Sequence, residues 1–401
     1  MDAVLKQAVA LADKVRAVSD DVLAGHIGRR DIVWPTMLSL VSGRPAFFLG
    51  SPGIDKTGTV QAVAKRIVGA IFFDALMPTV VSVEQLIVES TSIEELPLPN
   101  GGKSISVSDK LGRAASAHLV FADEIWKSEA RILQTLLDLA KGDGVRHEGK
   151  MVVTPLLAFL AASNELPDPE GNLGAVWSRM TLRVQVNPLD KGGKQKLVVA
   201  RLARDRGQKQ GATPQLTLAE VGILRTARPL VEVPADIVTA VLDIYQELRD
   251  TDSGAFDWLW ADDRRFGRVF DVLQAQALLQ GRTTVSKTDL TVLEWLLWDT
   301  PEQIASVRAK IAPYTRTALT EAQELVDALL APGGTVATVL GGDKGKCVNA
   351  ITQLESAEKT LAELEGKADD VGMKQAIADL RKQAGDAEQG VVQVFIGPAR
   401  K

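Results

Sequence analysis

Three short stretches carry side chains of the kinds, and in the order, that phosphate chemistry requires. The first is Gly50-Ser51-Pro52-Gly53-Ile54-Asp55-Lys56-Thr57. A phosphate-binding loop reads G-x-x-x-x-G-K-[ST]. Here Gly50 opens the pattern, Lys56 and Thr57 close it, Gly53 keeps a permissive backbone in the middle, and Asp55 stands where the second glycine belongs. Such a loop works through backbone N–H groups and a helix N-terminus aimed at phosphate oxygens. A lysine adds a compact positive charge, and a threonine hydroxyl suits Mg²⁺. The second stretch, HLVFADEIWK, is an apolar run that ends in Asp123-Glu124. At a strand's carboxyl end Asp123 could hold magnesium through water, and Glu124 could orient or deprotonate an attacking water. The third, LLAFLAASN, ends in Asn164, a polar amide after a long apolar run. It fits a turn or a helix cap, and equally a side chain that holds the water or senses the γ-phosphate. Asp55 leaves two possibilities open. A carboxylate aimed at the phosphates adds like-charge repulsion, whereas one turned away can pair with a nearby cation.

The elements that would position these groups follow from hydrophobic periodicity. PAFFLG (45–50), AHLVFAD (117–123), LLAFLAASN (156–164) and MTLRVQV (180–186) are four near-continuous apolar runs separated by helical patterns. That alternation predicts a mainly parallel sheet between helices, an α/β fold. Val60, Val63, Ile67 and Ile71 extend a helix behind Thr57. From about residue 195 the strand signals fade, and TLAEVGILRTARPLV (217–231), PADIVTAVLDIYQELRD (234–250) and RRFGRVFDVLQAQALLQG (264–281) read as helices, the last with Gly281 as its cap. The region 301–330 is also helical. The glycine-rich 331–346 reads as a mobile linker, and 349–385, broken near Gly366–Gly372, as a helical hairpin. Residues 91–114 read as a mobile loop free of aromatics, and 141–155 as a protruding hairpin or loop.

Composition narrows the function. The chain has 401 residues, a net charge of −5 and a single cysteine, Cys347, so no intramolecular disulfide can form and no cysteine-based metal site can be built. The three histidines, His26, His118 and His147, have no metal-ligand spacing. An acidic balance without a basic, aromatic-interleaved run argues against nucleic acid as a partner. No stretch approaches about 18 uncharged apolar residues, and the N-terminus reads as an amphipathic helix, so no membrane span and a cytoplasmic location are expected.

With these motifs in order the sequence resembles the MoxR-type AAA+ ATPases, closest to their RavA subgroup, over roughly residues 15–310. GSPGIDKT resembles the Walker A loop, LVFADEIWKSEARILQTLLDLAKG the Walker B strand and following helix, and AASNELP the sensor-1 strand. AVWSRMTLRV resembles the arginine-finger segment, which points to Arg179. WADDRRFGRVFDVLQAQALLQGRTTVSKTDL resembles the lid helix with a sensor-2 arginine, Arg264, with Arg265 as the close alternative. The resemblance implies an αβα P-loop core with a parallel sheet (1–195), an all-helical lid (196–310) and a helical C-terminal extension (311–401). It further implies ATP or ADP with Mg²⁺, held by Gly50 through Thr57 with Thr57 and Asp123 at the metal, and a ring of copies, usually a hexamer. Arg179 would reach a neighbour's site. Family members act as chaperone-like remodelling or assembly factors, commonly with a partner carrying a von Willebrand factor A (vWA) domain. Many such loops carry alanine where Asp55 stands, so an acidic residue there opens an alternative: a nucleotide-binding assembly scaffold with little or no turnover.

Overall fold

The computed structural model of the chain describes residues 2–97, 103–140, 145–147, 150–168, 173–205, 213–251, 254–367 and 371–396. Its contacts divide the chain into two compact units, Met1–Ile311 and Ala312–Lys401.

In the first unit, strands β1 (Ala46–Leu49), β2 (Phe72–Leu76), β3 (Leu119–Asp123), β4 (Ala158–Ser163) and β5 (Leu182–Gln185) form one sheet in the order β5-β1-β4-β3-β2, parallel throughout. Four of the five are the apolar runs of the sequence. Every residue of β1 and β4 is buried, as expected of strands covered on both faces. The fifth, β2, lies at the sheet edge and is largely half-exposed, so it lacks the continuous apolar signature. The register sets Leu49 opposite Ser163, and Asp123 opposite Ala162, so the carboxyl ends of β1, β4 and β3 finish level with one another.

Helix Arg30–Ser42 packs against β1, β4 and β5 and is buried from Ile32 to Ser42. Two of its buried hydroxyls are satisfied locally: Thr36 donates to Ile32 O (2.7 Å) and Ser39 to Arg44 O (2.7 Å). The main helices after the sheet are Leu218–Ala227, Ala235–Thr251 and Asp263–Leu279. The first begins with a capping box between Thr217 and Glu220, and Gly281, at φ 78°, follows the last. Arg225 ties the first of these helices to the sheet layer by donating to Leu40 O (2.8 Å) and Leu157 O (2.6 Å), and Trp34 Nε1 donates to Gln276 Oε1 (2.7 Å).

Local structure departs from the sequence reading in several places. The helix behind Thr57 is only Lys56–Ala64. Ile67–Val68 is instead a short strand parallel to Leu216–Thr217, which buries Ile67 and leaves Ile71 half-exposed. Residues 91–114 are not a loop: Val88–Pro97 pairs antiparallel with Lys103–Leu111, in keeping with the alternation of STSIEE and SISVSD, while 98–102 lie outside the described residues. The hairpin expected in 141–155 is present as Val145–His147 paired with Lys150–Val152; residues 141–144, 148 and 149 lie outside the described residues.

The second unit is helical. Ala318–Leu329 packs Ala322 and Val326 against Leu361 and Leu364 of Cys347–Gly366 and against Ile377 and Leu380 of Val371–Ile396, the predicted hairpin. The glycine-rich 331–346 contains a helix, Thr335–Leu340. Val336 and Val339 lie on one face of it and bury against Cys347, Ala350, Leu354 and Val391. The 301–330 region is two helices, Ile304–Thr315 and Ala318–Leu329, the second capped by Thr317.

Candidate nucleotide site

The phosphate loop begins where β1 ends. Gly50 N–H donates to Ser163 O (3.1 Å), which fixes the start of the loop to the end of β4. A Cβ on Gly50 would stand 2.6 Å from Val186 O, so only glycine fits. Gly53 has φ 81°, and Asp55 occupies the left-handed region at φ 64°, ψ 38° immediately before helix Lys56–Ala64. Aspartate is one of the few residues that adopt this conformation readily, so Asp55 gives the backbone the shape a second glycine would have given. Its side chain turns to His26, with Oδ2 2.7 Å from Nδ1, and its other oxygen fills the space left by Gly58, where a Cβ would collide with it. Of the two orientations open in the sequence, the carboxylate takes the second and turns away, toward His26.

Lys56 is buried and folds back on the loop, donating to Gly50 O (2.5 Å) and Ser51 O (3.3 Å). Burial pushes its pKa down, while the carboxylates of Asp123 and Glu124 act in the opposite sense. Thr57 Oγ1 donates to Asp123 Oδ2 (3.1 Å), so the two residues expected at a metal are adjacent. Among the described residues, no group of three or more His, Cys, Asp or Glu side chains could hold a metal ion. A threonine hydroxyl and one carboxylate are the hard-oxygen pair that suits Mg²⁺ with phosphate and water completing its shell. Asp123 Oδ1 accepts from Glu124 N (3.0 Å), and Glu124 holds an unusual left-handed φ of 54°. The Glu124 carboxylate pairs with Lys127 (3.0 Å), which raises the lysine's pKa. Asn164 is exposed one residue beyond Ser163, at the end of the strand that lies between β1 and β3.

The two arginines lie elsewhere. Arg179 ends helix Gly174–Arg179, and after Met180 and Thr181 the chain enters β5 at Leu182, opposite Ala46, the first residue of β1. Arg179 is therefore at the amino edge of the sheet, and the phosphate loop at the carboxyl edge. Its Nη1 is buried without a hydrogen bond. The lid helix places Arg264 and Arg265 near the same edge. Arg265 is 1% exposed and donates to Leu296 O (2.9 Å), Met180 O (3.4 Å) and Thr181 O (3.4 Å), and burial lowers its pKa to about 10. It is committed to backbone carbonyls, whereas Arg264 is exposed. Arg264 and Arg179 both lie close enough to Arg268 to lower its pKa, after burial and Arg44. Gly50 through Thr57, Asp123, Glu124 and Asn164 thus form one group, and Arg179 with Arg264 another.

Sequence reasoning missed the residues that join the groups. Trp126, two residues after Glu124, packs on Phe47 (5.3 Å between ring centres) and on Trp177 (5.8 Å), two residues before Arg179. Arg183 lies 3.9 Å over Trp177, and Arg183 and Arg265 both lie 5.1 Å from the centre of the Trp258 ring. Arg183 is fully buried, donating to Trp298 O (2.7 Å) and Asp299 Oδ1 (2.8 Å). His26 was also missed. Nothing local in the sequence marks it, because it meets Asp55 only through the packing of helices Ala12–Gly25 and Lys56–Ala64.

Comparisons with known proteins bear on the family and the fold. A model described as the MoxR domain in the MoxR–vWA–beta-propeller ternary systems matches residues 13–226, more than half of the chain, and an AAA lid domain model matches 236–311. Two uncharacterised proteins of Methanocaldococcus jannaschii are similar. One is 26% identical over 308 residues, covering 75% of this chain and 74% of its own length. The other is 24% identical over 371 residues, covering 89% and 92%. A crystal structure from Cytophaga hutchinsonii, provisionally named an ATPase, superposes with a TM-score of 0.54 at 16% identity, covering 77% of this chain and 95% of that one, which shows a shared fold. The five-stranded parallel sheet, the helical lid and the matched models together establish that this chain belongs to the MoxR family of AAA+ proteins.

Proposed function

We propose that this chain binds ATP with Mg²⁺ and hydrolyses it slowly to ADP and phosphate as one subunit of a ring, a hexamer in the reading favoured here. The observation that carries the proposal is the 3.1 Å contact between Thr57 and Asp123, which brings the phosphate loop and the acid-bearing strand end together beside Lys56. Lys56 exchanges the carbonyls of Gly50 and Ser51 for phosphate oxygens, and the N-terminus of helix Lys56–Ala64 adds its N–H groups. Thr57 and Asp123 would hold Mg²⁺, which would supply neutralisation of charge on the phosphoryl oxygens. Glu124 takes the proton of the attacking water, and Asn164 orients that water. Arg179 and Arg264 of a second copy balance the charge developing on the transferred group, since the chain's own arginines face the other edge of the sheet.

The work done with this energy is chaperone-like remodelling or assembly of a protein client. The RavA-like Asp-Glu-Ile-Trp-Lys run supports the same core. The name of the matched family model supports a vWA-domain protein as partner, with a beta-propeller as third member. Among the described residues no helix is long and apolar enough to cross a membrane, which fits a cytoplasmic machine. The test is steady-state ATP hydrolysis with Mg²⁺ across protein concentration. Specific activity should rise with concentration, and Glu124→Gln should remove about 100-fold or more of it while nucleotide still binds. Equal turnover in the two proteins would end the proposal.

A further inference from the structure

We infer that His26 is a positioning residue of the phosphate loop: it holds the Asp55 carboxylate outside the space that phosphates enter. The inference rests on the nucleotide-binding reading above. Three observations converge on it. The Asp55 backbone is left-handed, so its side chain leaves the loop on the side of helix Ala12–Gly25. His26 stands at the end of that helix, its own N–H capping Val22 O, with Nδ1 2.7 Å from Asp55 Oδ2 and 3.3 Å from Thr59 Oγ1. Thr59 in turn donates to Asp55 O (2.7 Å), so a single triad fixes both ends of Asp55. Gly58 completes the arrangement by leaving open the volume that the second carboxylate oxygen occupies.

Alternative partners for the carboxylate are few. The triad opens on a cleft of about 620 Å³ whose other charged members are Asp21, Lys65 and Arg66. Arg66 is already paired with Asp21 at 2.5 Å. Without His26, the carboxylate becomes free to swing toward Lys56 and compete with phosphate for the same cation. A loop with glycine at this position needs no such partner. His26, Asp55 and Gly58 thus act as one unit, separated by up to 32 residues in sequence and joined only by the fold.

The experiment is a double-mutant cycle read by calorimetric binding of Mg²⁺–ADP. In the native chain His26→Ala should weaken binding about 10-fold or more. In an Asp55→Gly background the same change should cost less than about 3-fold. His26→Asn, whose amide can donate where Nδ1 does, should retain most of the affinity, and it keeps the cycle readable if the alanine variant does not fold. Gly58→Ala should weaken binding in the native chain and far less beside Asp55→Gly. Equal losses from His26→Ala in both backgrounds, or none in the native chain, overturn the inference. A Lys56→Ala control separates the two levels. If it binds Mg²⁺–ADP as the native chain does, the nucleotide reading falls, and this inference with it; if it loses binding while the cycle is additive, only the role of His26 falls.

Discussion

At the carboxyl edge of the sheet the ionisable groups close on one another. Asp55 has His26, Lys56 has two loop carbonyls, Thr57 has Asp123, and Glu124 has Lys127. At the amino edge the balance is different. Arg183 and Arg265 are buried and spent on backbone carbonyls and Asp299, while Arg179, Arg264 and Arg268 have no carboxylate within salt-bridge distance among the described residues. The groups of the first edge are partnered within the chain. Under the proposed function, the arginines of the second edge that hold no salt bridge, with Asp262 nearby, would face a nucleotide bound at the carboxyl edge of another copy.

The sharpest way to break this comparison is Arg179→Ala. Turnover should fall about 1,000-fold while Mg²⁺–ADP binding to the variant's own loop changes only a few-fold. A matching loss of binding would mean that Arg179 serves its own subunit. Next come the adjacent arginines. Arg265→Ala strips buried carbonyls of Leu296, Met180 and Thr181 of their donor, and chemical denaturation should register a loss of about 3 kcal/mol. Arg264→Ala should leave the unfolding midpoint in place and lower turnover about 10-fold or more. If the two effects are exchanged, the assignment of buried and acting arginine is reversed.

The smallest effect concerns Asp31, in the first turn of helix Arg30–Ser42. Burial raises its pKa from 3.8 to about 6, against the pull of Arg29, and its Oδ1 has no hydrogen-bond partner. The folded chain therefore favours the protonated acid. Below pH 3.8 the group costs nothing, and the cost grows as pH rises through about 6, where the folded chain must hold a buried carboxylate. Asp31→Asn should be more stable than the native chain by about 1–2 kcal/mol at pH 8, with the gap closing toward pH 4 in denaturant titrations. A pH-independent difference would remove Asp31 from the account.

What could be read in the sequence was what strong local patterns encode. β1, β3, β4 and β5 are visible because strands covered on both faces must be apolar throughout, and the residues at their ends are conspicuous by contrast. β2 is not visible, because only Phe73 of its five residues is buried and it need not be apolar throughout. The hairpin Val88–Pro97/Lys103–Leu111 was hidden by its serines and glycines, although its period of two was present. Asp55 shows the limit most clearly. The sequence exposes the missing glycine, but the residue that its carboxylate meets lies 29 positions earlier. The division of the site between two edges became legible only with the register of β5 against β1.

That division has a genetic consequence. Under the proposed ring, a chain with Glu124→Gln would lack the base at its own carboxyl edge but still offer a sound amino edge to a neighbour, and a chain with Arg179→Ala would have the reverse defect. Each allele alone should be silent. Coexpressed, they should rebuild an intact junction wherever the amino edge of the first meets the carboxyl edge of the second, so that two broken copies of one gene complement each other.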